Sequence, residues 1–189
     1  MKMMKLKIVA VTLLGLVFVP STVLADNFTS DPVIGNTSVT FTGTPAADGG
    51  LTLDSVPSYI FPTMPLNFSG ETMSIQIPSS IPFKTTDYRG SELGYQVTAE
   101  ASGLKIASGK TLPVQKFEML VLSEAEAGIT GKSEVDVYQK SDTVLTSDGS
   151  YVGTINGVYS AVTLVVAKNG IKAQTYTGTI NYTLIEDIQ

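Results

Sequence analysis

The chain has 189 residues with 12 basic and 17 acidic side chains, and no cysteine, histidine or tryptophan. Without His or Cys, the Ser-His-Asp and Cys-His catalytic arrangements and the His/Cys zinc sites are excluded. The acidic balance and the lack of any basic run argue against a nucleic-acid partner or an anionic membrane surface.

The chain opens with a basic stretch, Met1-Lys2-Met3-Met4-Lys5-Leu6-Lys7. A 12-residue apolar run, 8–19, ends at Pro20, and Val23-Leu24-Ala25 precedes Asp26. A positive start, a short apolar middle and a small residue at the end predict a secretory signal peptide over 1–25, cleaved after Ala25. The apolar run is too short to cross a bilayer, which takes about 20 residues. Three of the basic residues precede the cut and every acid follows it, so the mature chain carries a net charge of −8. The absence of cysteine fits export by a bacterium without an oxidising compartment, and it leaves no lipoprotein anchor. The C-terminal residues 184–189 have neither an apolar tail nor a basic stop, and Leu112-Pro113-Val114-Gln115-Lys116 lacks the Thr-Gly of a sortase signal. The expectation is a secreted protein whose hold on the cell, if any, is non-covalent.

Residues 26–36 are polar and read as a flexible leader. From 37 to 189 the chain reads as one all-β domain. Thr, Val, Ile and Tyr recur in short stretches punctuated by Gly, Pro, Ser, Asn and Asp. Strands are expected at 39–42, 51–55, 73–77, 95–101, 117–122, 135–138, 162–167 and 176–184. Turns are expected at Asp48-Gly49-Gly50, Ser69-Gly70, Ser102-Gly103, Asp148-Gly149 and Asn169-Gly170. The one helical turn expected lies at 123–127 and ends at Gly128. This many strands without helices predict an antiparallel β-sandwich or a barrel-like Greek-key domain.

Two strands alternate cleanly. Tyr95, Val97, Ala99 and Ala101 share one face in the first; Tyr176, Gly178, Ile180, Tyr182 and Leu184 share one in the second. Thr183 falls on the opposite, polar parity. Asp142 and Asp148 read as turn residues and not as a calcium loop, because no closely spaced run of Asp is present. Glu124 with Glu126, and Glu134 with Asp136, read as solvated faces and not as a catalytic carboxylate pair. Asp87 and Arg89 are read as a local surface pair worth about 0–1 kcal/mol. The four Asn-x-Ser/Thr triplets, at Asn27, Asn36, Asn67 and Asn181, are given no function. No catalytic residue, cofactor site or metal site is expected.

Several segments in a fixed order carry a resemblance. Leu51-Thr52-Leu53-Asp54-Ser55-Val56-Pro57 is followed by Tyr59 and Phe61. Asp87-Tyr88-Arg89-Gly90 and Gly94-Tyr95-Gln96-Val97-Thr98-Ala99 come next, and the 12 residues of 173–184 close the series. Across roughly 37–187 the chain resembles the WxL-domain cell-surface proteins of low-GC Gram-positive bacteria. That family is named for two Trp-x-Leu motifs. Here they correspond to Tyr95-Gln96-Val97 and Tyr182-Thr183-Leu184, with tyrosine at both tryptophan positions. The resemblance implies non-covalent retention on the cell wall, peptidoglycan as ligand and membrane-anchored surface proteins as partners. Tyr95, Val97, Tyr182 and Leu184 are therefore the candidate binding positions. Their apolar parity gives them a second reading, as core residues that mark the fold. Two functions follow: a wall-binding module, or a structural subunit docking on a membrane-anchored partner.

Overall fold

A computed structural model describes residues 50–66 and 69–186. The expected signal peptide, the leader, the strand at 39–42 and the start of the turn at 48–50 lie outside these residues. The described chain is all-β and antiparallel, in the manner of a β-sandwich, with eleven strands in three sheets.

The strands are β1 (Leu51–Ser55), β2 (Thr72–Pro78), β3 (Phe83–Asp87), β4 (Tyr95–Ala101), β5 (Val114–Val121), β6 (Ile129–Gly131), β7 (Val135–Asp136), β8 (Asp142–Ser147), β9 (Gly153–Val158), β10 (Ser160–Ala167) and β11 (Ile180–Glu186). A single 3-10 turn, Ala125–Ala127, stands where a helical turn is expected, and Gly128 ends it in the left-handed region at φ 64°. The first sheet runs β1-β3-β9, the second β2-β10-β5-β7 and the third β11-β4-β8-β6.

Among these strands no two consecutive ones are hydrogen-bonded neighbours. From β4 to β8 the chain alternates between the third and second sheets, so these two form the facing layers. The links β2 to β3 and β9 to β10 pass between the first and second sheets. The second crossing takes one residue, Tyr159, just after Gly157 at φ 120°, a backbone angle that needs glycine. One nearly continuous strand thus serves two sheets.

Period-2 patterning builds the core. In β4, Tyr95, Val97, Ala99 and Ala101 are buried and Glu100 is exposed; in β10, Ser160, Val162, Leu164 and Val166 are buried. Phe117, Met119 and Val121 of β5 meet them. The central inward residues reach 0–1% exposure (Val97, Met119, Val144, Val162), as a two-layer domain requires.

The structure moves several expected boundaries. The last strand begins at Ile180, not at 176, and Thr177 makes only an isolated bridge with Lys105. The short strand β7 stops at Asp136, whose carboxylate accepts from the amides of Phe117 and Tyr138. Strands β3, β6, β8 and β9 are absent from the sequence reading. β3 buries Thr85 and Asp87 and β8 buries Ser147, so hydropathy does not mark their inner faces, while β6 is three residues long and β9 is broken by Gly153 and Gly157.

Most ladders join strands distant in sequence, so they wait on closure of long loops. The expected outcome is slow refolding, on the order of milliseconds to seconds, without fast hairpin formation in microseconds. Stopped-flow fluorescence after denaturant dilution measures it.

Candidate functional site

The two motif segments lie side by side. β4 and β11 pair antiparallel with Val97 opposite Leu184, Ala99 opposite Tyr182 and Tyr95 opposite Glu186. All four motif residues point to the inner face, but their burial differs. Tyr95 is 1% exposed and Val97 is fully buried. Tyr182 and Leu184 are half-buried, because β11 is an edge strand of its sheet. Thr183 and Asn181 face outward and are exposed.

Each tyrosine combines a packed ring with a satisfied hydroxyl. The hydroxyls of Tyr95 and Thr85 are 2.8 Å apart, inside the core. The Tyr182 ring meets Phe83 edge to face, with centroids 5.4 Å apart at 87°, and its hydroxyl donates to the Pro57 carbonyl over 3.2 Å. Nearby, the hydroxyls of Tyr59 and Ser160 are 2.7 Å apart. Burial raises the phenol of Tyr95 above its ordinary value, and that of Tyr59. Burial raises Tyr182 furthest, with the neighbouring Tyr59 phenol adding to the effect.

The Asp87–Arg89 pair is not a surface feature. The Arg89 and Asp87 side chains are 3% and 5% exposed. The guanidinium donates through Nε and Nη2 to both Asp87 oxygens, at 3.0 and 2.7 Å. Its Nη1 donates to Glu186 at 2.7 Å, and Nη2 also reaches the Leu93 carbonyl. The hydrogen bonds to Asp87 raise the guanidinium above its already high ordinary value, against a smaller opposing effect of burial, so it stays charged. One buried cation therefore ties β3, the 89–94 turn and the end of β11 together. Residue type and spacing announce the Asp87 contact; the third partner, 97 residues further on, is invisible in sequence.

Two grooves border β11. The larger, of about 1140 Å³, lies between the segments 56–66 and 171–182. Its floor is Phe117, Leu164 and Val166, its walls include Tyr59, Phe61 and Tyr176, and Gln174, Thr175 and Thr177 form part of its rim. Among the described residues, Lys172 is the only charged one that lines it. Ile60 stands at its edge with 92% of its surface exposed. The smaller, open groove of about 640 Å³ separates β11 from β1. Among the described residues no cluster of three or more Asp or Glu is placed to hold a metal ion. Asp142 starts β8, and Asp148 accepts from the Ser150 amide in an exposed turn.

The chain matches no protein-family model, and no curated protein matches it.

Two outcomes follow from this geometry. Arg89→Met strands the buried Asp87 carboxylate, and loss of one partner from a buried pair costs about 3–5 kcal/mol; chemical denaturation should show a loss of that size. The tyrosines set an alkaline limit. Their folded-state pKa values lie above the unfolded value of about 10, so the folded state holds protons that the unfolded state releases. Their contribution is complete below about pH 10 and is lost as pH rises through the folded values. Stability measured from pH 8 to 11 should hold and then fall, and Tyr182→Phe should flatten the fall.

Proposed function

We propose that the chain is an exported, non-enzymatic binding protein of the bacterial cell surface, held non-covalently on the wall with peptidoglycan as its ligand. The observation that carries this reading is the larger groove. Tyr59, Phe61 and Tyr176 line it beside hydroxyl and amide side chains, with no carboxylate among the described lining residues. Sugar rings offer apolar C–H faces for stacking and hydroxyls for hydrogen bonding, and concave sites of this mixed character suit them. A groove whose described lining carries Lys172 and no acid also suits an acidic protein on a wall rich in anionic polymers, because it adds no like-charge repulsion at the point of contact.

The tyrosines that stand at the family's tryptophan positions act in this reading through the fold. Tyr95 has no surface to offer a ligand. Tyr182 contributes one edge to both grooves while its hydroxyl is engaged by Pro57.

A second reading, a structural subunit of a surface complex, is favoured by a different observation. The edge strands β1 and β11 border an apolar groove. Free strand edges are templates for pairing with another chain.

Sedimentation with washed, protein-stripped cell walls tests the first reading. The full chain should pellet with the walls. Gln174→Ala, an exposed change at the groove rim, should reduce pelleting several-fold while shifting stability by less than about 0.5 kcal/mol. A chain that stays in the supernatant with bare walls, yet is captured from a membrane-protein extract, would overturn wall binding in favour of the second reading.

A further inference from the structure

The smaller groove has a backbone character that the larger one lacks. It is lined by Leu51, Leu53 and Val56 on one side and Ile180, Tyr182 and Leu184 on the other. Both walls are sheet edges, β1 of the first sheet and β11 of the third. The direction of their free main-chain groups follows from the pairing. Tyr88 N donates to Gly50 O, so Gly50 bonds toward β3 and the next residue, Leu51, turns its amide and carbonyl outward. Ser102 N donates to Thr179 O, so the same alternation turns the main-chain groups of Ile180, Tyr182 and Leu184 away from β4. Thr52 and Asn181 also line the groove and bond toward β3 and β4, while Leu51, Leu53, Ile180, Tyr182 and Leu184 are the lining residues whose main-chain groups turn outward. Among the described residues no main-chain hydrogen bond crosses it.

Side-chain burial gives the same picture. On β4, Val97 and Ala99 are 0% and 1% exposed. Their partners across the ladder, Leu184 and Tyr182, share the inner face yet are only half-buried, as are Leu51 and Leu53. Register with β4 runs unbroken over all seven residues of β11. No proline, lysine or bulge blunts the β11 edge, the usual devices that keep strands from pairing, whereas β1 is regular through Leu53 and shifts register between Leu53 and Ser55.

Charge selects the occupant. On the outward face Asp54 of β1 and Glu100, which pairs with Asn181, are both exposed, and Lys84 is the basic residue that acts on Asp54. Hydrogen bonds from Thr86 and Thr52 hold the Asp54 carboxyl below its usual range, so the acid stays ionised. The chain has no basic residue between Lys7 and Lys84 and so offers none from the residues just before β1. We propose that this groove docks one extended strand of a second protein, which pairs with the free edges of β11 and β1, sets alternate apolar side chains between Leu53 and Tyr182, and presents basic side chains outward toward Asp54 and Glu100. This deepens the docking reading and rests on it. Added strands of this kind take affinity from the main chain and specificity from alternate side chains.

The test uses the full chain and a synthetic nine-residue peptide alternating isoleucine or valine with lysine or threonine. Hydrogen exchange followed by NMR should show the amides of Ile180, Tyr182 and Leu184 exchanging freely alone and at least about tenfold more slowly with saturating peptide. Asp54→Lys should weaken binding about tenfold at low salt, and a peptide with glutamate in place of lysine should regain most of it. Peptide binding that leaves those amides unprotected overturns the proposal, and so does protection already complete in the free chain, which would mean that the chain fills its own groove. If the chain captures a membrane protein while the amides stay unprotected, the docking reading stands and this groove is the part that fails.

Discussion

The constraint on which the structure depends is that the central strands find their partners far along the chain. β4 sits between β8 and β11, and β10 between β2 and β5. The central ladders do not close locally, so cohesion comes from the shared core, where Val97, Met119, Val144 and Val162 meet at or near zero exposure. Apolar burial at about 25 cal/mol per Å² drives this without regard to sequence separation. The Asp87–Arg89–Glu186 cluster adds direction to that cohesion. It binds the end of one sheet to the end of another, and a planar guanidinium accepts only a narrow geometry.

The legible part of the fold was its alternation. Tyr95–Ala101, Met119 with its neighbours, and Val162–Ala167 advertise an apolar face with period 2, and the structure places strands there. Of the four strands missing from the sequence reading, β6 and β9 are short or glycine-broken, with Ile129, Ile155 and Val158 as their buried residues, while β3 and β8 have inner faces built partly of Thr, Asp and Ser. Thr85 is an example: its hydroxyl lies 2.8 Å from that of Tyr95. Of the expected turns, Asn169-Gly170 is one and Ser69-Gly70 is a bend, while Ser102-Gly103 is neither. Asp148-Gly149 lies between β8 and β9, which belong to different sheets, so it redirects the chain and closes no hairpin.

The motif residues divide along a physical line that sequence parity cannot draw. Parity says which face a side chain takes; it does not say whether a strand is central or at an edge. Tyr95 on the interior strand disappears into the core, while Tyr182 on the edge strand keeps part of its ring at the border of two grooves. The aromatic segment holding Tyr59 and Phe61 was visible in sequence. Its role as a groove wall was not, because the opposite wall, 171–182, follows more than a hundred residues later.

The interleaving has a consequence for a molecule that meets proteases. Residues 122–126, between β5 and β6, are exposed. A nick there would divide the described chain into β1–β5 and β6–β11. Every sheet would then hold strands from both pieces: β1 and β3 with β9, β2 and β5 with β10 and β7, and β4 with β11, β8 and β6. The cut chain stays interlocked by its own hydrogen bonds and core. Proteolysis at that site costs a covalent link without parting the two halves.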